Sequence, residues 1–283
     1  MERSIGVIDS GVGGLTVVNE IMRQLPNERI IYLGDTKRCP YGSRDESEIK
    51  LFTYSMVKEI MTYDLKILVI ACNTATAYTL KTLRQELDIP VVGVIRPGSR
   101  AAISVTETKK IGVIGTEATI KSRAYEYSLK EINKELEVQR LACPTFVPMI
   151  ESGEYLKVNI VKQLEHALKP LKENKMIDTL VLGCTHYPLI ANEIAKVFDE
   201  KIHVISSSEE TAREVSVILD QHNLLNKNAK SIHLFLMTGN KNNFELIYEN
   251  IFDTTLSDYS DVEIKQIELN ELEESCKWQI YVQ

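Results

Sequence analysis

The chain reads as an α/β protein made of two similar flavodoxin-like α/β domains with parallel sheets, related by a pseudo-twofold axis, with the active site in the cleft between them. Three observations predict this. Residues 67–76 (ILVIACNTAT) form an apolar run that breaks into a small polar cluster around Cys72. A strand buried on both faces of a parallel sheet looks like this where it hands a side chain to the loop at its carboxyl end, the edge at which open α/β sheets bind ligands. The pattern returns at 179–188 (TLVLGCTHYP) around Cys184. Finally, residues 4–9 (SIGVID) precede the first cysteine strand as residues 110–115 (KIGVIG) precede the second. Strand, polar turn, helix and cysteine strand thus occur twice in one order, which reads as a duplicated unit. Facing each other, two such units bring the cysteines to opposite walls of one cleft.

Length and composition fit two domains. The chain has 283 residues, of which 44% are hydrophobic, enough for a core in each. A net charge of −7 argues against nucleic acid or an anionic membrane as the main partner. Residues 1–4 lead straight into a core strand, without the pattern of a signal peptide, and no apolar run approaches membrane-spanning length. Five irregularly spaced cysteines fit a reducing compartment, so the expected location is the cytosol.

In chain order, the strand at 5–8 is followed by Asp9, Ser10 and the glycines at 11, 13 and 14, a tight turn into a helix that ends at Pro26. Such glycines let backbone amides approach a ligand, and a helix start favours an anion, either a carboxylate or a phosphate. A dinucleotide site would need glycine at position 16, where the chain has Thr16. Residues 29–35 form a second strand ending in Asp35, and residues 36–47 a polar loop in which Cys39, before Pro40, reads as a bystander thiol. A helix follows at 46–62. After Cys72 an amphipathic helix spans 75–87, and Pro90 opens a short strand. The segment 96–99 (RPGS) interrupts the pattern and is expected to be the first domain crossing. In the second unit Thr116 to Thr119 take the place of the glycine turn, and a strand at 137–141 leads to a proline-flanked apolar stretch ending at Glu151. Cys143 there reads as packed. A helix at 158–171 precedes the cysteine strand, with a short strand at 202–205. The remainder reads as a helix at 209–225, a strand at 231–239, a helix at 242–252 and a strand at 262–269. The second unit is complete by 205, so these elements are expected to return to the first domain, giving 1–97 plus 208–283 and 98–207. The tail 271–283 stays unassigned.

Two opposed cysteines could do several things. A structural disulfide is a poor fit in a reducing compartment. Zinc would need more ligands, since Cys184 and His186 are one residue apart and no C-x-x-C occurs. A hydrolase would use one nucleophilic thiol, with His186 as its base. Two matched thiols suit a reaction whose directions are mirror images, removing a proton from one face of a chiral carbon and returning one to the other. One must then be thiolate and the other thiol, and the candidate helpers are Asp9 and His186. A two-domain amino-acid binding protein would use the same cleft but gives no reason for paired thiols.

At this point five segments, DSGVGGLTV at 9–17, GDTKRCPYG at 34–42, ACNTATA at 71–77, FVPMIESGE at 146–154 and GCTHYPLI at 183–190, together resemble the bacterial glutamate racemases, in order and across most of the chain. The resemblance implies a cofactor-independent two-base racemase that interconverts L- and D-glutamate and supplies D-glutamate for peptidoglycan, as a cytoplasmic homodimer with a small-molecule substrate and neither nucleic acid nor membrane as partner. By motif, Cys72 and Cys184 are the acid/base thiols, assisted by Asp9 and His186. Ser10, Tyr41, Gly42, Asn73, Thr74 and Thr185 match positions that hold the substrate, together with Asp9 and His186, and Thr116 and Thr119 add to them. Glu151 matches an acid supporting the cleft on the His186 side. Arg96 departs from the family pattern. Related enzymes act on aspartate or hydantoins with a similar cysteine pair, which leaves those substrates as the alternative. A pyridoxal enzyme would need a Schiff-base lysine, and none lies in these motifs.

Overall fold

The computed structural model describes residues 3–156, 158–227, 232–252 and 261–270; the unassigned tail lies outside the described residues. Ten strands appear there: β1 (Ser4–Asp9), β2 (Ile30–Gly34), β3 (Leu65–Ile70), β4 (Val91–Gly93), β5 (Lys110–Gly115), β6 (Glu137–Ala142), β7 (Thr179–Gly183), β8 (His203–Ser206), β9 (His233–Met237) and β10 (Val262–Gln266). They form two sheets, ordered β10-β9-β2-β1-β3-β4 and β6-β5-β7-β8, and every pairing is parallel. The block β2-β1-β3-β4 has the same order as β6-β5-β7-β8, so the sequence echo is an echo of topology. Cys72 and Cys184 follow equivalent central strands.

Burial explains which strands the sequence announces. β1, β3 and β7 are buried along their whole length, hence their continuous apolar runs. In β1, Ile5 and Val7 enter one core with the helices Leu15–Gln24 and Ser208–Gln221, while Ile8 enters another with Glu46–Ile60. This is the two-residue alternation of a strand covered on both faces. The second sheet is likewise packed on both sides, around Leu180 and Leu182 on one face and Val113 and Val181 on the other.

One proline-containing segment departs from the sequence reading, and a second, which the sequence left without an element, is helical. RPGS is no interruption: it lies in the first turns of the helix Ile95–Val105, with Pro97 at its third position. The apolar stretch before Glu151 is the helix Phe146–Glu151, with Pro148 again third. The first N–H groups of a helix have no partner within it, so proline removes no bond there. Residues 116–119 also go beyond a turn, because Thr116 caps the helix Glu117–Ser122 by accepting the Thr119 N–H.

Lys66 is a buried charge in β3. Its Nζ lies 2.5 Å from Glu28 Oε2, with both side chains 2% exposed, and donates to the Leu224 carbonyl and Asn226 Oδ1 at 2.7 and 2.9 Å. Removing one member strands the other. Lys66→Met is therefore expected to lower the unfolding free energy from urea denaturation by about 3–5 kcal/mol, and Lys66→Met with Glu28→Leu to recover most of that loss.

Candidate active site

Cys72 leaves β3 as the N-cap of the helix Asn73–Glu86, its sulfur accepting the Ala75 N–H at 3.4 Å. The thiol faces Ser10 Oγ at 3.4 Å and is 5% exposed. Burial pushes it up to about 12, with the Asp9 charge adding and the Ser10 and Ala75 hydrogen bonds opposing, so at rest it holds its proton. Cys184 directly follows β7, at the place that Cys72 has near the end of β3, and lies 3.7 Å from His186 Nδ1. Both cysteines line one small cavity with Ser10, Tyr41, Gly42, Asn73, Thr74, Thr116, Thr185 and His186. Its volume is about 10 Å³, room for about one water. An amino acid enters only if the walls part.

Asp9, at the end of β1, is fully buried. It accepts the Gly11 N–H at 3.0 Å and the Thr185 hydroxyl at 3.2 Å, and the Gly14 N–H as well. Burial raises it to about 6 against the pull of the His186 charge and these donors. It acts on Cys72 through its charge, while Ser10 makes the hydrogen bond to the thiol. For His186, burial works against the proton, but hydrogen bonds and negative charge from Cys184 and Glu151 outweigh it and hold the imidazolium well above its ordinary range. Glu151 Oε1 lies 2.6 Å from His186 Nε2. Burial pushes Glu151 up, and the His186 contact more than reverses this, leaving it below the usual carboxylate value.

The glycines of the DSGVGG turn have a specific reason to be there. A Cβ at Gly13 would lie 2.6 Å from His186 Nδ1 and Thr185 Oγ1, and one at Gly11 2.7 Å from Glu151 Oε1. A carboxylate from the second unit reaches this turn: Glu151 Oε1 accepts the Val12 N–H at 3.5 Å, ahead of the helix Leu15–Gln24. Gly42 has a similar role, because a Cβ there would sit 2.2 Å from Thr116 Cβ. Glycine lets the two units close on each other.

Hydroxyl groups join the walls elsewhere. Thr74 Oγ1 is 2.9 Å from both Thr116 Oγ1 and Thr119 Oγ1. Thr119 lies behind Thr74 and Thr116 and is absent from the cavity lining. Asp9 and Glu151 also stand behind the wall, reaching it through Thr185 and His186. Tyr41 lines the cavity, but its hydroxyl donates to Asp35 Oδ2 at 2.5 Å. Asp35 in turn accepts Arg38 Nε at 2.6 Å and the Thr238 hydroxyl at 2.8 Å.

Sequence reasoning passed over several residues here. Pro40 and Val147 line the cavity; both stand inside motifs, which was the only signal for them. Cys39 is no distant bystander, since its thiol donates to Glu151 Oε1 at 3.5 Å. Burial, then the Glu151 charge, hold that thiol well above its usual range. Cys39, Glu151 and His186 offer three ligand atoms within 4.8 Å of one another. Two ligands each about 2.0–2.1 Å from a tetrahedral zinc lie roughly 3.3 Å apart. The 2.6 Å contact between His186 and Glu151 is that of a shared proton.

Residues 5–215 match the Asp/Glu/Hydantoin racemase family. The glutamate racemase of Oceanobacillus iheyensis is 52% identical over 271 residues, 95% of this chain and 98% of that protein. Among solved structures, the Bacillus anthracis glutamate racemase isoform RacE1 has a TM-score of 0.87 at 47% identity, covering 94% of this chain and 98% of the other. The Francisella tularensis glutamate racemase, solved in complex with D-glutamate, has a TM-score of 0.84 at 33% identity, covering 97% and 98%. With most of the chain matched at such identity, and with both cysteine strands inside the matched region, the chain belongs to the Asp/Glu/Hydantoin racemase family.

Proposed function

We propose that this protein is a glutamate racemase that uses two cysteines and no cofactor. The observation that carries the reading is the pair of buried thiols, delivered by equivalent strands of two like-ordered sheets to one cavity. Cys184, beside the His186 imidazolium, takes the α-proton from one face of the substrate as thiolate; a neighbouring cation is the help a thiolate needs. Cys72, a thiol at rest, returns a proton to the other face. The opposite enantiomer is handled by the reverse assignment. When Cys72 is the thiolate, Asp9 takes up a proton more readily, since two negative charges in a dry site oppose each other.

Ser10, Asn73, Thr74, Thr116 and Thr185 bring donors to the substrate's carboxylates without setting a lysine beside the reacting carbon. The reading includes the domain limits 1–97 with 208–283 and 98–207, supported by β9 and β10 pairing onto the first sheet. It also includes a homodimer, a cytosolic location and D-glutamate supply to peptidoglycan, supported by the resemblance to the bacterial enzymes. Among the described residues no helix is long and apolar enough to cross a membrane.

The test is purified protein with L-glutamate in deuterium oxide and no added cofactor. Optical rotation should decay to zero with deuterium at Cα. Racemisation of aspartate and not glutamate would overturn the substrate; no exchange with either would overturn the chemistry.

Asp9 supplies a pH prediction. The resting form, with Cys72 a thiol, holds Asp9 ionised, so kcat/KM should fall about tenfold per unit below pH 6, the value to which burial raises it. The same shift has the opposite sign for stability. A raised carboxylate stabilises the fold when protonated, fully below its unfolded value near 3.8, and that contribution is lost as pH rises through about 6. Asp9→Asn should therefore lose the acidic limb along with most activity, yet gain on the order of 2–3 kcal/mol of stability at pH 8. A pH–rate profile and urea unfolding check both.

A further inference from the structure

Tyr125 touches both cysteine segments without lining the cavity. It stands in the helix Ala124–Ile132 and is 2% exposed. Its hydroxyl donates to Asn73 Oδ1 at 2.7 Å, the residue after Cys72. Its ring lies 3.1 Å from where a Cβ of Gly183 would be, the residue before Cys184. Ser207 also hydrogen-bonds the phenol oxygen. A tyrosine has one proton to give and gives it to Asn73, so Ser207 is the donor in the second bond. Gly98 leaves room for this relay, since a Cβ there would lie 3.0 Å from Ser207 Cβ and 3.2 Å from Tyr125 Oη.

The relay decides which end of the Asn73 amide faces the cavity. Asn73 is 2% exposed and lines it. With Oδ1 taken by Tyr125, Nδ2 is a buried donor without a partner among the described residues. An unpaired buried donor costs stability, and the cost is recovered if an acceptor binds in the cavity. The acceptor of the proposed reaction is a glutamate carboxylate.

We propose that Tyr125 is a positioning residue for substrate binding, holding the Asn73 amide so that Nδ2 points at a substrate carboxylate. This rests on the reading that glutamate occupies the cavity between the two thiols. Tyr125→Phe should raise KM for both enantiomers about tenfold while kcat changes less than threefold, and should add less than twofold to KM in an Asn73→Ala background. Asn73→Asp should be worse than Asn73→Ala by a further tenfold in KM, because Tyr125 would hold one carboxylate oxygen and turn the other towards the substrate's own negative charge. That second comparison does not depend on how well Tyr125→Phe folds. If Asn73→Ala raises KM but Tyr125→Phe does not, or if Asn73→Asp is no worse than Asn73→Ala, the role of Tyr125 is overturned and the site reading stands. If Asn73→Ala leaves KM unchanged, the placement of glutamate against Asn73 fails, and this inference with it.

Discussion

Cys72→Ala and Cys184→Ala are each expected to lower kcat for glutamate racemisation about 10³-fold, in both directions, with the fold intact. Each thiol is the group assigned to proton transfer at Cα from its side, and a positioned proton-transfer group contributes typically 10²–10⁴-fold. Both act in every turnover, so the double variant should be little worse than either single one. Both thiols are nearly fully buried and small, which keeps the stability cost modest. Steady-state polarimetry beside thermal unfolding separates lost chemistry from lost fold. A single variant that keeps a tenth of wild-type kcat would show that its thiol is not an acid or base of the reaction.

Gly13→Ala should cost about 10²-fold in kcat/KM, an effect that only the assembled structure makes visible. The new methyl would lie 2.6 Å from both His186 Nδ1 and Thr185 Oγ1, far inside contact distance, on the two residues that follow Cys184. The second wall must retreat, and a misplacement near 1 Å at a reacting centre costs about that much. Gly112→Ala is the control. Its methyl meets the flexible end of Leu180 at 3.0 Å, so kcat should stay within twofold. Equal losses in the two variants would mean that the glycines matter for folding rather than for closure.

These glycines show where sequence reading ends. The DSGVGG turn was legible as a place of close approach, because several glycines between a strand and a helix have few other uses. What approaches was not legible, since Glu151 and His186 arrive from the other unit. The central strands announced themselves because β1, β3 and β7 are buried throughout. The proline at 97 misled for a local reason: proline at the third helical position looks in sequence like a break and in structure is harmless. Thr16, which removes the dinucleotide fingerprint, sets its hydroxyl between the Gly13 and Thr185 carbonyls, at 2.8 and 3.2 Å, and so places the turn against the second wall. Tyr125 left no mark in the sequence because its partner Asn73 is 52 positions away, and a tyrosine on an amphipathic helix reads as core.

The central claim, one thiol for each face of the substrate, is tested most directly by α-proton exchange in deuterium oxide with the single-cysteine variants and each pure enantiomer. A variant with one thiol can remove and return a proton on one face only. Cys72→Ala and Cys184→Ala should therefore each exchange the α-proton of one enantiomer with retention of configuration, and the two variants should choose opposite enantiomers. Exchange of both enantiomers by one variant, or of the same enantiomer by both, would contradict the two-thiol account.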